Sequence, residues 1–409
     1  MRSKKPELLI PAKGPEELKV AVSFGADAVY LGGEAFGLRA HAKNFSNEEI
    51  AEGIEFAHKR GVKIYITANI LAHNKDIVEA ADFLKGMKEL GPDALIISDP
   101  GIFSLAREIC PEIDIHISTQ ANNCNFYTCL FWGKLGAKRI VTARELSLRE
   151  IKEIRENIPE GLEIETFVHG AMCISYSGRC LLSGFFTGRS ANHGECAHPC
   201  RWQYSVMEET RPGEYLPVEE NERGTFIFNS KDLCMIEHIP ELIDAGIDSF
   251  KIEGRMKNSL YVACVTRVYR RAIDDCLKDV ELYRKNMDWY KEEIKKCTVR
   301  PYTTAFFFGK PGEDAQIYDS NTYISEYTLL GVIHEKDDKG RAVIYQKNKF
   351  LAGDEIEIVH KDFTSDFATV NAIYDEDENE MESAPHPKQR LSLELSADFD
   401  VYDVLRINK

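Results

Sequence analysis

Short β-rich runs alternate with helical stretches along the first two thirds of the chain. The β-rich runs are ELLIPA (7–12), DAVYLGG (27–33), KIYITANI (63–70), ALIISDP (94–100), DIHISTQ (114–120), RIVTA (139–143), IETFVHG (164–170) and SFKIEGR (249–255). The segments between them, such as PEELKVAVSFG and ELSLREIKEIRENI, have the apolar spacing of amphipathic helices. This alternation favours the α/β class, as a closed (β/α)8 TIM-like barrel rather than an open doubly wound sheet.

The last β-rich run places three charges on one face of a strand. Side chains alternate along a strand, so Lys251, Glu253 and Arg255 share a face. Charges are costly against an apolar helix layer, and TIM barrels carry their chemistry at the C-terminal strand ends. We therefore predict that the three point into the barrel mouth as catalytic candidates. Polar residues at other strand ends join them as candidates: Asn69, Gln120, Arg144 and His169. A buried ion-pair network that only closes the barrel is the alternative.

Residues 171–231 interrupt the repeat between the seventh and eighth strands. This insertion contains a cysteine-rich stretch and a predicted hairpin, WQYSVMEE against TFIFN. Insertions on this face of a barrel commonly form lids or cofactor sites. The following stretch, SKDLCMIEHIPELIDAG, predicts a helix with Ser230 as its N-cap, Cys234 in its first turn and Gly246 as its stop.

The pattern changes after residue 300, where short alternating runs are separated by turns such as KDDKGR and LAGD. These runs predict a small antiparallel β-barrel at about 320–409. The predicted organisation is therefore a barrel domain at 1–300, with the insertion at 171–231, and a linker and C-terminal β-barrel domain at 301–409.

The chain is acidic, with 51 Lys and Arg against 67 Asp and Glu and a net charge of −16. That balance argues against non-specific nucleic-acid binding but leaves room for a local basic surface. We read no signal peptide in the N-terminal stretch and no run that approaches the roughly 20 apolar residues of a membrane-spanning helix. We therefore expect a cytoplasmic protein without membrane contact, whose eleven cysteines do not form a disulfide framework.

Four cysteines crowd the insertion with the spacing C-x6-C-x15-C-x3-C. They are Cys173, Cys180, Cys196 and Cys200, and Cys234 follows after 33 intervening residues. An iron–sulfur cluster accepts irregular spacing, whereas structural zinc sites commonly use two closely spaced pairs. A thiol nucleophile would leave most of the set unexplained, and incidental thiols are a further alternative. The C-x3-C-x2-C signature of radical-SAM proteins is incomplete because Gln203 stands at its third position.

Several stretches resemble a known family. They are HGAMCISYSGRCLLSGFFTGRSANHGECAHPCRW, LLIPAKGPEELKVAVSFGADAVYLGG, FGLRAHAKNFS and NSKDLCMIEHIPELIDAGIDSFKIEGRMK. The chain resembles the U32 "peptidase" or collagenase-like family over essentially its whole length, and it is most similar to the branch of bacterial tRNA-hydroxylation proteins. The resemblance implies an RNA (tRNA uridine) hydroxylase that acts on the 5-position of uridine 34. It also implies an oxygen-independent route with prephenate as co-substrate and an iron–sulfur cluster of the 4Fe-4S type.

The resemblance further implies cluster ligands and partners. Cys173, Cys180 and Cys196 match recurrent ligands, while the fourth matches Cys200 in one branch and Cys234 in another. Close spacing to Cys196 favours Cys200, whereas the predicted helix N-terminus, which lowers a thiolate pKa, favours Cys234. The expected partners are the tRNA anticodon loop and a paralogous U32 protein.

Roles for the other candidates follow from the same implied activity. Lysine or arginine at the barrel mouth would hold the carboxylates of prephenate, and His169 or Glu253 would move protons. Aromatic residues of the insertion would stack on the uridine, and its arginines would contact phosphates or the cluster. The aromatic residues are Phe185, Phe186 and Trp202, and the arginines are Arg179, Arg189 and Arg201.

Other functions remain as alternatives. The family name implies a hydrolase, a U32-type peptidase, but the chain has neither an H-E-x-x-H nor a G-x-S-x-G motif. A Cys173–His169 pair is conceivable, although it would leave the neighbouring cysteines unused. Two further functions are alternatives. The protein could hydroxylate another RNA, such as rRNA, or it could be a non-catalytic iron–sulfur subunit.

Overall fold

The computed structural model describes residues 5–33, 44–173, 175–193, 195–202, 220–221, 224–225, 231–297, 300–309 and 325–408. Its first seven strands run parallel, and each pairs with the next one in the chain. They are β1 (Glu7–Pro11), β2 (Ala28–Gly32), β3 (Lys63–Ala68), β4 (Ala94–Ile97), β5 (Asp114–Ile117), β6 (Arg139–Val141) and β7 (Glu163–Gly170). All seven lie at the predicted β-rich runs.

Six helices occupy the connections between these strands. They are α1 (Pro15–Ser23), α2 (Asn47–His58), α3 (Asp76–Leu90), α4 (Pro100–Ile109), α5 (Phe126–Lys134) and α6 (Leu148–Glu156). Their starts follow from the local sequence. Ser46 and Ser147 form capping boxes at α2 and α6, while Asp99 caps α4 with a proline in the first turn.

The insertion has little regular structure among its described residues. It contains a short helix, α7 (Leu182–Thr187), and the paired strands β8 (Glu220–Asn221) and β9 (Gly224–Thr225). Most of the predicted hairpin and the proposed N-cap Ser230 lie outside the described residues.

The helix predicted over SKDLCMIEHIPELIDAG is wrong in its first half. Asp232–Cys234 form a strand, β10, which pairs antiparallel with β7 and places Cys234 opposite His169. The helix itself, α8 (Ile239–Asp244), has Pro240 in its first turn. Proline lacks an N–H donor and fits the first turn of a helix, so the helix cannot extend further back. Gly246, with a φ of +77°, follows the end of α8 as predicted.

Strand β11 (Ser249–Ile252) closes the ring, because it pairs parallel with β1 on one side and β7 on the other. Within the described residues, eight parallel strands therefore form a closed barrel, which confirms the predicted TIM-like fold. The chain continues through α9 (Ser259–Lys278), α10 (Val280–Lys285), α11 (Met287–Glu293) and β12 (Tyr302–Thr303), which lies beside β10.

The C-terminal strands build a second barrel. They are β13 (Tyr327–Lys336), β14 (Ala342–Tyr345), β15 (Phe350–Leu351), β16 (Glu355–Val359), β17 (Ser365–Tyr374), β18 (Glu380–Met381), β19 (Ser383–Ala384), β20 (Arg390–Leu395) and β21 (Val404–Asn408). Six of them follow the antiparallel order β16-β21-β13-β14-β20-β17, and pairing of β17 with β16 closes the ring. The predicted antiparallel β-barrel is confirmed, while the division of the chain at residues 300 and 301 stays a prediction.

The apolar residues separate into layers that match the two barrels. One large cluster fills the space between the first barrel and its helices, and a second fills the C-terminal barrel. A small cluster that includes Leu9, Tyr30, Tyr65 and Ile96 lies inside the first barrel and supports the site above it. In the described part of the chain, no helix has both the length and the apolar character to cross a membrane.

Candidate functional site

A cavity of about 810 Å³ lies at the C-terminal ends of the barrel strands, between them and the insertion. Most of the predicted site residues line it. They are Asn69, Gln120, Arg144, Lys251, Glu253, Arg255, Cys173, Cys180, Cys196 and Cys200. Two predicted residues, His169 and Cys234, are not among its described lining residues. The insertion therefore meets the strand ends at one place, with the thiols on one side and the polar strand residues on the other.

Lys251 lies at the floor of the cavity and is almost completely buried. Its Nζ donates a hydrogen bond to Glu165 Oε1 at 2.7 Å, and Glu165 Oε2 lies 3.0 Å from the Arg139 guanidinium. Burial alone would raise the pKa of Glu165, but the two cations outweigh it and hold that pKa below its ordinary value. Lys251 is thus held in place by a carboxylate that stays ionised.

Beneath Lys251, Arg139 forms the centre of a buried ion network. Its guanidinium bonds Glu7 and Glu163 at the N-terminal strand ends as well as Glu165. Tyr65 adds a hydrogen bond to Glu7 at 2.7 Å. The structural alternative predicted from the sequence, an ion network inside the barrel, is therefore present, and it ends at Lys251 in the cavity floor.

Arg144 joins the strand ends to the root of the insertion. It donates to the carbonyl oxygen of Ala171 at 2.7 Å, and its Nη2 lies 3.4 Å from Glu253 Oε2. Its guanidinium also lies over the Phe167 ring, 3.9 Å from the centroid. Three different contacts therefore orient Arg144, and the carboxylate of Glu253 is kept next to a cation.

Arg255 reaches across the cavity toward β2 and β3. It donates to Thr67 Oγ1 at 3.1 Å and to Asn44 Oδ1 at 3.4 Å. This reach depends on Gly32, since a Cβ at that position would overlap the Arg255 guanidinium. A glycine at the end of β2 thus creates the space in which a cation can face the cavity.

Two amide side chains complete the strand-end set. Asn69 Nδ2 lies 3.5 Å from Ser118 Oγ. Gln120 is buried in a short 3₁₀ turn after β5, and its Oε1 has no hydrogen-bond partner among the described residues. A buried amide oxygen without a partner is costly, so a ligand that donates a hydrogen bond would relieve it.

Cationic side chains outnumber carboxylates around the cavity. The cationic lining residues are Arg144, Arg189, Lys251, Arg255, Lys257 and Arg300, and Glu253 is the sole acidic residue in the described lining. This local excess of positive charge contrasts with the net charge of −16 for the whole chain. The cavity is therefore suited to a ligand with more than one negative charge.

His169 is turned away from the cavity by an irregularity in β7. The pairing with β11 shifts register after Lys251, so Phe167 lies opposite Lys251 but His169 lies opposite Ile252. Such a bulge reverses the alternation that predicted Phe167 and His169 on one face. His169 is instead buried, with Nδ1 3.5 Å from the Tyr269 hydroxyl. Burial and the charge of Lys257 lower its pKa to about 3, which keeps it neutral.

Cys234 lies in the same buried pocket as His169. Its Sγ is 3.9 Å from the Tyr269 hydroxyl, and burial raises its pKa to about 12. The prediction that a helix N-terminus lowers this pKa is wrong, because Cys234 belongs to a strand. Cys173 and Cys196 are exposed on the insertion, while the solvent exposure of Cys200, like that of Cys234, is intermediate.

The four lining cysteines supply the right kind of donor for an iron–sulfur cluster, whose irons are held by thiolates. Among the described residues, no three Cys, His, Asp or Glu side chains converge tightly enough to hold a single metal ion. A compact metal site, for zinc or for any other single ion, is therefore not preformed in that part of the chain. The donor chemistry fits a cluster gripped from separate loop segments.

Several lining residues were missed by the sequence analysis. Tyr30 lies under Lys251, with Nζ 4.5 Å from the ring centroid, and its hydroxyl donates to the Ile252 carbonyl at 2.9 Å. The alternation in DAVYLGG places Tyr30 and Gly32 on one face, so strand parity could have found them. Lys257 and Arg300 follow irregular segments, where no such period exists.

The aromatic residues of the insertion lie at the surface. Phe185 is 82% exposed, Phe186 44% and Trp202 41%. Trp202 also lines the cavity, as does Arg189. Arg179 is exposed, and the side chain of Arg201 lies outside the described part of the structure.

Two family models together match most of this chain. The model of Peptidase family U32 matches residues 13–317, and that of its C-terminal domain matches residues 325–406. The tRNA hydroxylation protein P1 of Bacillus subtilis is 42% identical over 408 residues, which cover 100% of this chain and 96% of that protein. The tRNA hydroxylation protein P of Escherichia coli is 38% identical, over 87% of this chain and 86% of its own length. The 23S rRNA 5-hydroxycytidine C2501 synthase of Escherichia coli is 38% identical, over 67% of this chain and 40% of its own length.

Proposed function

The chain belongs to peptidase family U32, and from that premise we propose that it is an RNA hydroxylase that acts on C5 of uridine 34 in tRNA. Prephenate is the co-substrate and the route is independent of oxygen gas. The observation that carries the proposal is the cavity, where cationic strand-end residues meet four thiols of the insertion. The names of the relatives over most of the chain support RNA hydroxylation as the reaction class.

The barrel residues would bind and orient the co-substrate. Prephenate carries two carboxylates, and cations are presented to the cavity by Lys251 and Arg255, in and just after β11, and by Arg144, just after β6. Charge-assisted hydrogen bonds to carboxylates are among the strongest polar contacts that a protein forms. The free Oε1 of Gln120 would accept a hydrogen bond from a hydroxyl or from the uracil N–H.

Glu253 is the group placed to move a proton. It is the carboxylate among the described lining residues, and its Oε2 lies 3.4 Å from Arg144. Replacing the C5–H bond with a C5–OH bond is a two-electron oxidation: the oxygen atom would come from water or the co-substrate, two electrons would pass to an acceptor through the cluster, and a proton must leave C5 of the uracil. His169, the other predicted proton carrier, lies outside the described lining and is kept neutral by burial, which leaves Glu253 as the candidate.

Cys173, Cys180, Cys196 and Cys200 would hold the iron–sulfur cluster. A bound cluster supplies electron-transfer capacity, which the oxidation of a C–H bond requires. Cys200 is favoured over Cys234 as the fourth ligand, because Cys200 lines the cavity together with the other three thiols whereas Cys234 is not among the described lining residues.

The first experiment measures modified nucleosides. Total tRNA from cells that lack the gene is digested and analysed for 5-hydroxyuridine and its derivatives, with rRNA from the same cells analysed for 5-hydroxycytidine. We expect the uridine modification to disappear and the rRNA modification to persist. Unchanged uridine 34 in cells that also lack any paralogue would refute the proposal, and loss of the rRNA modification alone would favour the rRNA alternative.

The second experiment tests the ligand set. Protein purified without air is analysed for iron and sulfide in the wild type, in Cys200→Ser and in Cys234→Ser. We expect Cys200→Ser to lose most of its iron and Cys234→Ser to keep it. The opposite pattern would reassign the fourth ligand, and stoichiometric zinc in place of iron would exclude the cluster.

The peptidase alternative has weaker support in the site. It would pair Cys173 with His169, but Cys173 lines the cavity while His169 points into a buried pocket with Tyr269. The paralogous U32 partner and the cytoplasmic location stay predictions, which co-purification from the native cell and fractionation would test.

A further inference from the structure

Three aromatic side chains form a strip across the insertion beside the cavity. We call Phe185, Phe186 and Trp202 the aromatic strip. The ring centroids of Phe185 and Phe186 are 5.0 Å apart, and those of Phe186 and Trp202 are 6.2 Å apart. Each of the three is at least 41% exposed, and Trp202 also lines the cavity. The strip thus leads from open surface to the mouth of the site, and a contiguous set of exposed aromatic rings marks an interaction surface.

Cationic side chains lie on the same insertion and in the lining of the cavity. Arg189 comes two residues after the end of α7, is exposed and lines the cavity. Arg179 is exposed on the same insertion, and Lys257 lines the cavity. Flat π faces next to cations are the combination by which proteins bind single-stranded nucleic acid, because bases stack on the rings while phosphates pair with the cations.

The C-terminal barrel, in contrast to the cavity lining, is strongly acidic. Residues 325–408 contain nineteen Asp and Glu against nine Lys and Arg, a net charge of −10. A phosphate backbone is repelled by such a surface and attracted to the cationic residues of the cavity lining, which include Arg189 and Lys257. The charge distribution therefore favours RNA binding at the cavity, which Trp202 also lines, over binding at the C-terminal barrel.

We propose that the aromatic strip is a stacking platform for the unpaired nucleotides that flank the base presented to the cavity. This inference rests on the proposed function and deepens it, because it names the part of the RNA that is recognised and the residues that recognise it. The flanking nucleotide stacks on Trp202, the next one stacks on Phe186, and Arg189 pairs with a phosphate between them. An RNA double helix, whose base faces are covered, is a poor ligand for the strip.

The test measures binding of a fluorescent anticodon stem-loop RNA to the full-length protein. We expect Trp202→Ala and Phe186→Ala each to raise Kd by about tenfold, since a base–aromatic stack is worth about 1–3 kcal/mol. Trp202→Tyr keeps a flat ring and is expected to restore most of the affinity. Phe367→Ala is the matched control, because Phe367 is 67% exposed on the C-terminal barrel, and its Kd should equal that of the wild type. The iron content and the thermal unfolding temperature of each variant are measured, and they must equal those of the wild type for the Kd values to be compared.

Salt dependence separates stacking from charge. For a single strand, the slope of log Kd against log salt changes by about 0.7 for each phosphate contact. Arg189→Gln should therefore lower the slope by about 0.7, whereas Trp202→Ala should weaken binding and leave the slope unchanged. A fully paired RNA duplex of equal length should bind more weakly than the stem-loop and show no effect of Trp202→Ala.

Wild-type affinity in both aromatic variants would overturn the platform, as would equal affinity for the duplex and the stem-loop. These outcomes are separate from failure of the proposed function. If the protein binds the loop through the aromatic strip but uridine 34 stays unmodified in cells, the stacking platform is supported and the proposed function is refuted. If uridine is hydroxylated while both aromatic variants bind RNA like the wild type, the proposed function is supported and the stacking platform is refuted.

Discussion

Two buried arginines hold similar positions in different regions of the molecule. Arg139 lies inside the first barrel and Arg406 lies between the two barrels, and both are almost completely buried. Each is bracketed by carboxylates: Glu7, Glu163 and Glu165 around Arg139, and Glu293 and Glu357 around Arg406. In both networks the attraction of opposite charges offsets the cost of removing them from water.

The two ion networks differ in whether one of their members lines the cavity. The Arg139 network continues through Glu165 to Lys251, which lines the cavity. The Arg406 network continues to Lys296, whose Nζ lies 3.3 Å from Glu357 Oε1, and none of its described members lines the cavity. Buried charge alone therefore does not distinguish the two networks, whereas contact with the cavity does.

The largest expected effect is on stability, in the Arg406 network. Arg406→Met leaves Glu293 and Glu357 buried with fewer partners, so we expect the free energy of unfolding to fall by about 3–5 kcal/mol. Chemical denaturation measures this change. The control is Arg390→Met, whose pair with Glu335 is exposed and should contribute less than about 1 kcal/mol. Equal losses in the two variants would show that the Arg406 network is not a structural anchor.

The second effect is on activity, in the Arg139 network. Lys251→Gln removes a cation from the cavity floor but leaves Glu165 paired with Arg139, so the fold should survive. We expect hydroxylation of tRNA to fall by about a hundredfold, which corresponds to about 2.7 kcal/mol. Complementation of the deletion strain, followed by nucleoside analysis, measures it. Lys296→Gln is the matched control in the other network and should keep full activity. Wild-type activity in Lys251→Gln would remove the functional distinction between the networks.

The third effect is a pH dependence of stability at His169. The folded protein keeps this histidine neutral down to its pKa of about 3, whereas the unfolded chain takes up a proton below about 6.5. Its contribution to stability is therefore complete above pH 6.5 and falls by about 1.4 kcal/mol per pH unit between 6.5 and 3.

Unfolding of His169→Gln across this range should show a correspondingly shallower loss of stability than the wild type. The pH profile of hydroxylation should keep its shape in the variant, since His169 lies outside the described cavity lining. A displaced activity profile with unchanged stability would instead give His169 a role in proton transfer.

The smallest effect concerns the space that Gly32 leaves for Arg255. Gly32→Ala would push the Arg255 guanidinium away from Thr67, so we expect about a tenfold loss of activity with little change in stability. Gly86→Ala is the control, because a Cβ at Gly86 in α3 meets no atom within 4 Å. That control should keep its activity and gain about 0.5–1 kcal/mol of stability. Full activity in Gly32→Ala would show that the position of Arg255 does not matter.

The parts of the fold that follow a regular period could be predicted from the sequence. The barrel strands were found, and Lys251 lines the cavity from β11 as alternation predicts, whereas Glu253 and Arg255 line it from the loop after β11, which is shorter than the predicted strand. His169 was misplaced because a bulge leaves no mark in a strand whose residues are buried on both faces. Cys234 was misplaced although Pro240 marked the true start of the helix.

The ion networks could not be predicted in detail for a different reason. Arg139 meets Glu7, 132 positions earlier in the chain, and Arg406 meets Glu293, 113 positions earlier. Local patterns carry no information about such distant partners. The amide of Gln120 illustrates the same limit, because its missing hydrogen bond becomes visible only once its surroundings are known.

The strand pairs that close the first barrel do not involve the cysteine-rich insertion. The hydrogen bonds that complete the barrel run directly between β7, β11 and β1, while the four cavity thiols belong to the insertion. The barrel is therefore closed without any contribution from those thiols. Loss of a group bound at the thiols would leave the hydrogen bonds that close the barrel in place.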